Sequence, residues 1–238
     1  MTQRMTTIAR GRKLAARIGS LAAALALVGT GAVALAQNWG TSVVASDNGH
    51  RLGNPKAKTK LVEFMSYTCS HCADFARTGE GAIKVAYVPK GDVSYEIRHL
   101  LRDPFDLTAA LLTHCGDPQK FPGNHSAIML SQDDWFEKGR KTSRAQQARW
   151  QFGSNGARRQ AIASDLGFYD LMEARGYTRA QLDRCLTDEA KANALAEASQ
   201  ADVERYGLKG TPSFVMNGEL LDGVHSWPAL QPVLDKRR

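Results

Sequence analysis

Cysteine is scarce in this chain: four in 238 residues, at positions 69, 72, 115 and 185. Cys115 and Cys185 stand alone rather than as a second close pair, so the spacing of a four-ligand zinc site is missing. Ala73, not His, follows Cys72, which excludes a c-type haem attachment site. His50, His99, His114, His125 and His225 show no metal-ligand spacing and read as surface or satisfied core residues. No internal repeat or low-complexity tract is present, which argues against a solenoid or a linker array.

Charge of one sign is also lacking once the N-terminus is set aside. Arg4, Arg10, Arg12, Lys13 and Arg17 precede an apolar run, Ile18 to Ala36, that ends in the small-residue pattern Ala34-Leu35-Ala36. This is the grammar of a signal peptide over residues 1–36, cleaved before Gln37. An uncleaved anchor is the competing reading, weakened by Gly29, Thr30 and Gly31. No Cys follows the run to take a lipid, and no Arg-Arg pair marks twin-arginine export. The leader holds five cations and no acid, so the net charge of +7 falls to near +2 without it. Nucleic acid is therefore not an expected partner. The cluster Arg140, Lys141, Arg144, Arg149, Arg158 and Arg159, beside Trp135 and Trp150, reads as a solvated helix face. Removing 36 of 238 residues leaves 202, enough for one domain carrying an insertion.

What is present is the pair Cys69-Ser70-His71-Cys72. It follows a strand-like run over 60–66 and opens a helical stretch reaching about Val88, which Gly79 and Gly81 are expected to bend or end early. A thiol at a helix start faces unpaired N–H groups and the positive end of the dipole, so its thiolate is stabilised. Val93 to Arg98 alternates as a strand. Asp103-Pro104, with Asp106 three residues on, reads as a helix start. Residues 103–187 are helical in pattern, a further helix runs from Asp188 to Tyr206, and Asn217-Gly218 between apolar runs marks a hairpin. Trp227-Pro228 starts a last helix. The order gives an α/β fold interrupted by a helical block.

The segment from Phe64 to Cys72, the helical block, and Gly210-Thr211-Pro212-Ser213-Phe214 together resemble the DsbA-like thiol:disulfide interchange proteins. The resemblance implies a thioredoxin-like fold interrupted by an inserted all-helical domain. It divides the chain into a polar lead-in over 37–57, a first thioredoxin-like part over 58–102, the insertion over 103–187 and a second part over 188–238. It implies Cys69 as an exposed nucleophile, assisted by His71 through a hydrogen bond or its charge, and Cys72 as a buried resolving thiol. Stabilising the Cys69 thiolate stabilises the reduced protein; each pKa unit below ambient pH is worth about 1.4 kcal/mol, or about 30 mV. Sequence alone favours a trans bond before Pro212; the resemblance implies cis, in a loop that offers Thr211 and Pro212 to an extended substrate chain. Thr211 departs from the Val of strongly oxidising members and is usual in thioredoxins and isomerases. Glu63 reads by itself as an exposed strand residue; the resemblance implies a buried acid assisting proton transfer at Cys72.

Cys115 shares a helix face with Leu107 and Leu111, and Cys185 with Leu182 and Leu186, so both point into the block. They are two buried free thiols or, in an oxidising compartment and as in some DsbA-like proteins, a structural disulfide. The expectation is a periplasmic, monomeric oxidase without cofactor or metal. It acts on cysteine-containing exported proteins and is reoxidised by a membrane quinone-linked partner. An isomerase or reductase of the same superfamily is the alternative; Thr211 favours it, and the short stretch between leader and fold leaves no room for the dimerisation domain typical of isomerases. A chaperone-like module that clasps extended chains is a reading of a different class, against which the paired cysteines speak.

Overall fold

The computed structural model describes residues 38–46 and 48–237; the expected signal peptide lies outside them. Among the described residues six strands form one sheet in the order β1-β2-β4-β3-β5-β6. At its centre β3 (Thr59–Met65) runs parallel to β4 (Val93–His99) and antiparallel to β5 (Ser213–Met216). The strand side chains alternate. Leu61, Glu63 and Met65 share the face against which the main core packs, while Phe64 joins Leu208 and Val215 on the other face.

The lead-in is not loose. Trp39–Thr41 forms a short turn of 3₁₀ helix, and β1 (Val43–Ser46) and β2 (Gly49–Leu52) extend the sheet through β4. The polar composition concealed two inward anchors, Val43 and Leu52, which join the main core. Gly49 is the device that closes the edge: a Cβ there would sit 1.8 Å from the Ile97 carbonyl oxygen, so any side chain would force β2 away from β4.

Between β3 and β4 the chain winds as α1 (Ser70–Phe75) and continues through π-wound turns at Ala76–Glu80 and Ile83–Tyr87. The helix does not stop at Gly79 and Gly81. It widens instead, and this carries Glu80, Ile83 and Tyr87 onto the buried side.

Seven helices make up the insertion: α2 (Pro104–Thr113), α3 (Phe121–Leu130), α4 (Gln132–Arg140), α5 (Arg144–Arg149), α6 (Asn155–Asp165), α7 (Phe168–Glu173) and α8 (Arg179–Leu186). Asp103 caps α2 by accepting from the Asp106 amide at 2.9 Å, with Pro104 in the first turn. The Cys115 and Cys185 sulfurs are bonded, which ties the end of α2 to α8 across 70 residues. The basic cluster does not form one open face: Arg159 is buried against the Leu186 carbonyl and Glu189, Arg149 pairs with Asp165, and Trp135 lies in the core.

The long α9 (Glu189–Tyr206) brings the chain back to the sheet, where Arg98 of β4 meets Asp202 at 2.9 Å. The β5–β6 hairpin turns at Asn217 and Gly218, both at positive φ (53° and 92°), as an Asn-Gly turn between twisted strands requires; β6 is Glu219–Leu220. Helix α10 (Trp227–Asp235) closes the chain.

Candidate active site

The chain leaves β3 through Ser66, Tyr67 and Thr68, and a set of side chains fixes this turn. The Asp106 carboxylate of α2 accepts the Tyr67 amide at 2.8 Å and the Arg102 amide at 3.2 Å. Gln132, at the start of α4 and almost wholly buried, donates to the carbonyls of Tyr67 (2.6 Å) and Cys69 (2.9 Å). Thr68 donates to Asp103 at 2.8 Å. Every one of these partners belongs to the helical insertion, so the insertion holds the turn that presents the cysteines.

Cys69 occupies the N-cap of α1 in extended conformation, and its side chain caps nothing. Its sulfur is thus free to receive hydrogen bonds. Hydrogen bonding to the thiolate outweighs burial and lowers its pKa to about 4: the Cys72 thiol contributes most, and Thr211 and the backbone N–H groups of Cys72 and His71 add to it. The Thr211 carbonyl lies 3.3 Å from the Cys69 sulfur and receives the thiol proton, while the buried Thr211 hydroxyl has no hydrogen-bond partner. Cys72 is the opposite case: burial, first of all, pushes its thiol well above the ordinary range, and the neighbouring Cys69 and Glu63 add to this.

Cys69 is less open than expected, at 5% exposure, because the Thr211–Pro212 loop covers its sulfur; Cys72 is fully enclosed. His71 is exposed, and its contribution to Cys69 runs through its backbone N–H; its ring makes no hydrogen bond to the sulfur among the described residues. The ring instead lines a groove of about 640 Å³ with Gly210, Thr211, Leu221 and His225. The Thr211–Pro212 bond is cis, and the Pro212 carbonyl meets His225 Nδ1 at 2.8 Å.

Glu63 is buried, with Ile97 and Phe214 as its cross-strand neighbours. Tyr95 donates to one of its carboxyl oxygens, and the other has no partner. Burial above all, then the charge of Glu80, holds its pKa well above the ordinary carboxylate range. Its position was readable: with Leu61 and Met65 facing the core, period two puts Glu63 on the same face.

Sequence reasoning passed over Asp106 as more than a helix-start acid, read His125 as a surface or satisfied core residue, and missed Gln132 and Glu80 altogether. Glu80 lies eight residues beyond Cys72, two turns along the same helix, and that spacing was the available signal. The histidines do not behave as satisfied core residues throughout. His99 and His114 meet at 2.9 Å, yet His50 Nδ1 and His99 Nδ1 are buried without partners. Burial, which disfavours charge, drives His99 and His114 well below their ordinary values. Among the described residues no group of side chains is arranged to hold a metal ion.

Comparison with known proteins agrees with this architecture. A family model described as Thioredoxin matches residues 45–236. A Rickettsia conorii protein provisionally named protein-disulfide oxidoreductase is 27% identical over 198 residues, which are 80% of this chain and 60% of that protein. The chain thus spans about 60% of the length of these curated Rickettsia relatives. The crystal structure of a protein-disulfide isomerase from Novosphingobium aromaticivorans is 45% identical with a TM-score of 0.77, covering 82% of this chain and 100% of that one. Wolbachia pipientis alpha-DsbA1 shares the fold at 23% identity and a TM-score of 0.63, over 81% of this chain and 92% of the other. The chain belongs to the thioredoxin family, and its thioredoxin fold carries a helical insertion.

Proposed function

We propose that this protein is an exported thiol:disulfide oxidoreductase that introduces disulfides into other proteins through Cys69 and Cys72. The observation that carries the reading is the asymmetry of the pair: one sulfur lowered to about 4 and almost covered, the other pushed up and enclosed. A dithiol of this kind holds electrons readily, because its reduced form gains from the Cys69 thiolate, so its disulfide is a strong oxidant.

In the forward reaction a substrate thiolate attacks the Cys69 sulfur of the oxidised protein. The Cys69–Cys72 bond breaks, a mixed disulfide forms, and Cys72 departs as a thiolate that takes a proton. A second substrate thiolate then attacks the substrate sulfur of that mixed disulfide. The substrate leaves oxidised by two electrons and Cys69 leaves as a thiolate. Glu63 supplies the proton to Cys72: it is buried, it is held protonated, and it acts electrostatically on that thiol. The groove beside the cis-Pro212 loop receives the extended substrate, and the Cys115–Cys185 bond is structural. Export to the periplasm rests on the pattern of residues 1–36, and reoxidation falls to a membrane quinone-linked partner.

A disulfide isomerase is the second reading. Thr211 before Pro212 favours it, as does the name borne by the Novosphingobium relative. The equilibrium constant with glutathione separates the two. A strongly oxidising value, with substrate oxidation lost in Cys69→Ala, is the result expected of the oxidase. A thioredoxin-like value rejects it.

A further inference from the structure

The loop from Leu208 to Pro212 carries the backbone that faces the Cys69 sulfur, and few contacts hold it there. Lys209 and Gly210 are exposed, and a Cβ built on Gly210 would meet nothing within 4 Å. Thr211 is half-buried, so packing grips the loop firmly only from Pro212 and Ser213 onward. Ser213 donates to the Gly210 carbonyl at 2.8 Å, which closes the turn onto the start of β5 and ties it to no other element. Among the described residues two groups from elsewhere in the fold hydrogen-bond residues 209–212. The Cys69 thiol meets the Thr211 carbonyl at 3.3 Å, and His225 Nδ1 meets the Pro212 carbonyl at 2.8 Å.

These two bonds differ in the states that matter. A carbonyl oxygen only accepts, so the Cys69 contact needs the thiol proton. Neither the disulfide nor the thiolate has that proton, and these are the forms in which Cys69 enters exchange. The His225 bond persists in both. Its Nδ1 carries the hydrogen that the carbonyl accepts, and the neutral Nδ1–H ring and the imidazolium both supply one. His225 also lies between two anchored points. The Leu221 amide donates to the Phe214 carbonyl of β5 at 2.8 Å. Trp227, at the start of α10, stands edge-on to Tyr87, and a Cβ on Gly79 would lie 3.1 Å from it. The ring thus joins the loop to a segment packed on the helix that follows Cys69.

We propose that His225 is a positioning residue that acts through the Thr211–Pro212 loop: its Nδ1–H bond to the Pro212 carbonyl fixes the loop's backbone where an extended polypeptide meets Cys69. This inference rests on the oxidoreductase reading. A polypeptide thiol engages backbone groups beside the sulfur as well as the sulfur itself, whereas a small thiol engages the sulfur alone. His225 and Thr211 line the same groove, so a shifted loop changes the surface that a polypeptide meets. His225 therefore favours protein and peptide substrates over low-molecular-weight thiols. No bond of His225 forms or breaks; the exchange is the one described above.

The test compares two attacking thiols on the oxidised full-length protein: mercaptoethanol and an extended peptide with one central cysteine. His225→Leu should lose roughly threefold to tenfold more rate with the peptide than with mercaptoethanol, and the difference should sit in KM. His225→Asn, whose amide sets an N–H near the place of Nδ1, should recover most of that difference. An equal effect on both thiols, a difference confined to kcat, or no recovery in His225→Asn overturns the proposal. Nitrogen NMR of the ring in the unsubstituted protein reads the bond directly and decides alone if His225→Leu fails to fold. A neutral ring with its hydrogen on Nδ1 is expected; a neutral ring with its hydrogen on Nε2 overturns the proposal. Mercaptoethanol with the unsubstituted protein separates the two levels. If it does not open the Cys69–Cys72 bond, the oxidoreductase reading falls; if it does and His225→Leu leaves the preference for the peptide unmoved, only this inference falls.

Discussion

In the proposed reaction a single sulfur at the N-terminus of α1 sets the chemistry, and its low pKa has a consequence for stability. When Cys69 is depressed from about 9 to about 4, folding favours its ionised form. That contribution is complete above pH 9 and is lost as pH falls through 4; Cys72, shifted upward, adds nothing in this window. The oxidised protein lacks the titrating thiol. The stability of the reduced form relative to the oxidised one should therefore rise with pH between 4 and 9, by up to about 1.4 kcal/mol per unit. Denaturant unfolding of both forms across that range checks this, and a flat difference would contradict it. The cysteine pair and the helix start were legible, because both are local in sequence. Thr211 stood out as well, although its contact with Cys69 arises 142 residues away and no local pattern carries it.

At the scale of elements, most boundaries follow from local signals: the Asp103 cap, the alternation in β3 and β4, the Asn217-Gly218 turn. The lead-in strands were hidden because only Val43 and Leu52 anchor them among polar neighbours. The widening of the active-site helix was hidden because glycine weakens a helix without stating whether it ends or rewinds. The link between α4 and the active-site turn was illegible for another reason. Gln132 is polar, and nothing in its neighbourhood marks it as buried. Its one amide serves two carbonyls of the turn, so Gln132→Ala removes the side-chain donor of the Tyr67 carbonyl and leaves the Cys69 carbonyl with the Ala73 amide alone. We expect a loss of about 1–3 kcal/mol and slower exchange at Cys69, read by unfolding and by alkylation rate at fixed pH. An unchanged stability would show that α4 does not hold the turn.

At the scale of the whole molecule, the helical insertion is more than an appendage. Asp106, Gln132 and His125 reach from it to the turn or the helix that follows, and the Cys115–Cys185 bond ties the end of α2, which carries Asp106, to α8. The interruption of an α/β unit by helices was visible as a change of periodicity, from two to 3.6 and back. That the insertion also holds the turn presenting the cysteines was not visible, because buried polar contacts between distant segments leave no periodic trace. All of this converges on the state of one atom. The most direct test is the pH titration of the Cys69 thiolate in the reduced protein, by ultraviolet absorbance or by alkylation with Cys72 assigned separately. A midpoint near 4 is the predicted result; a midpoint near 9, that of an ordinary thiol, would contradict the account.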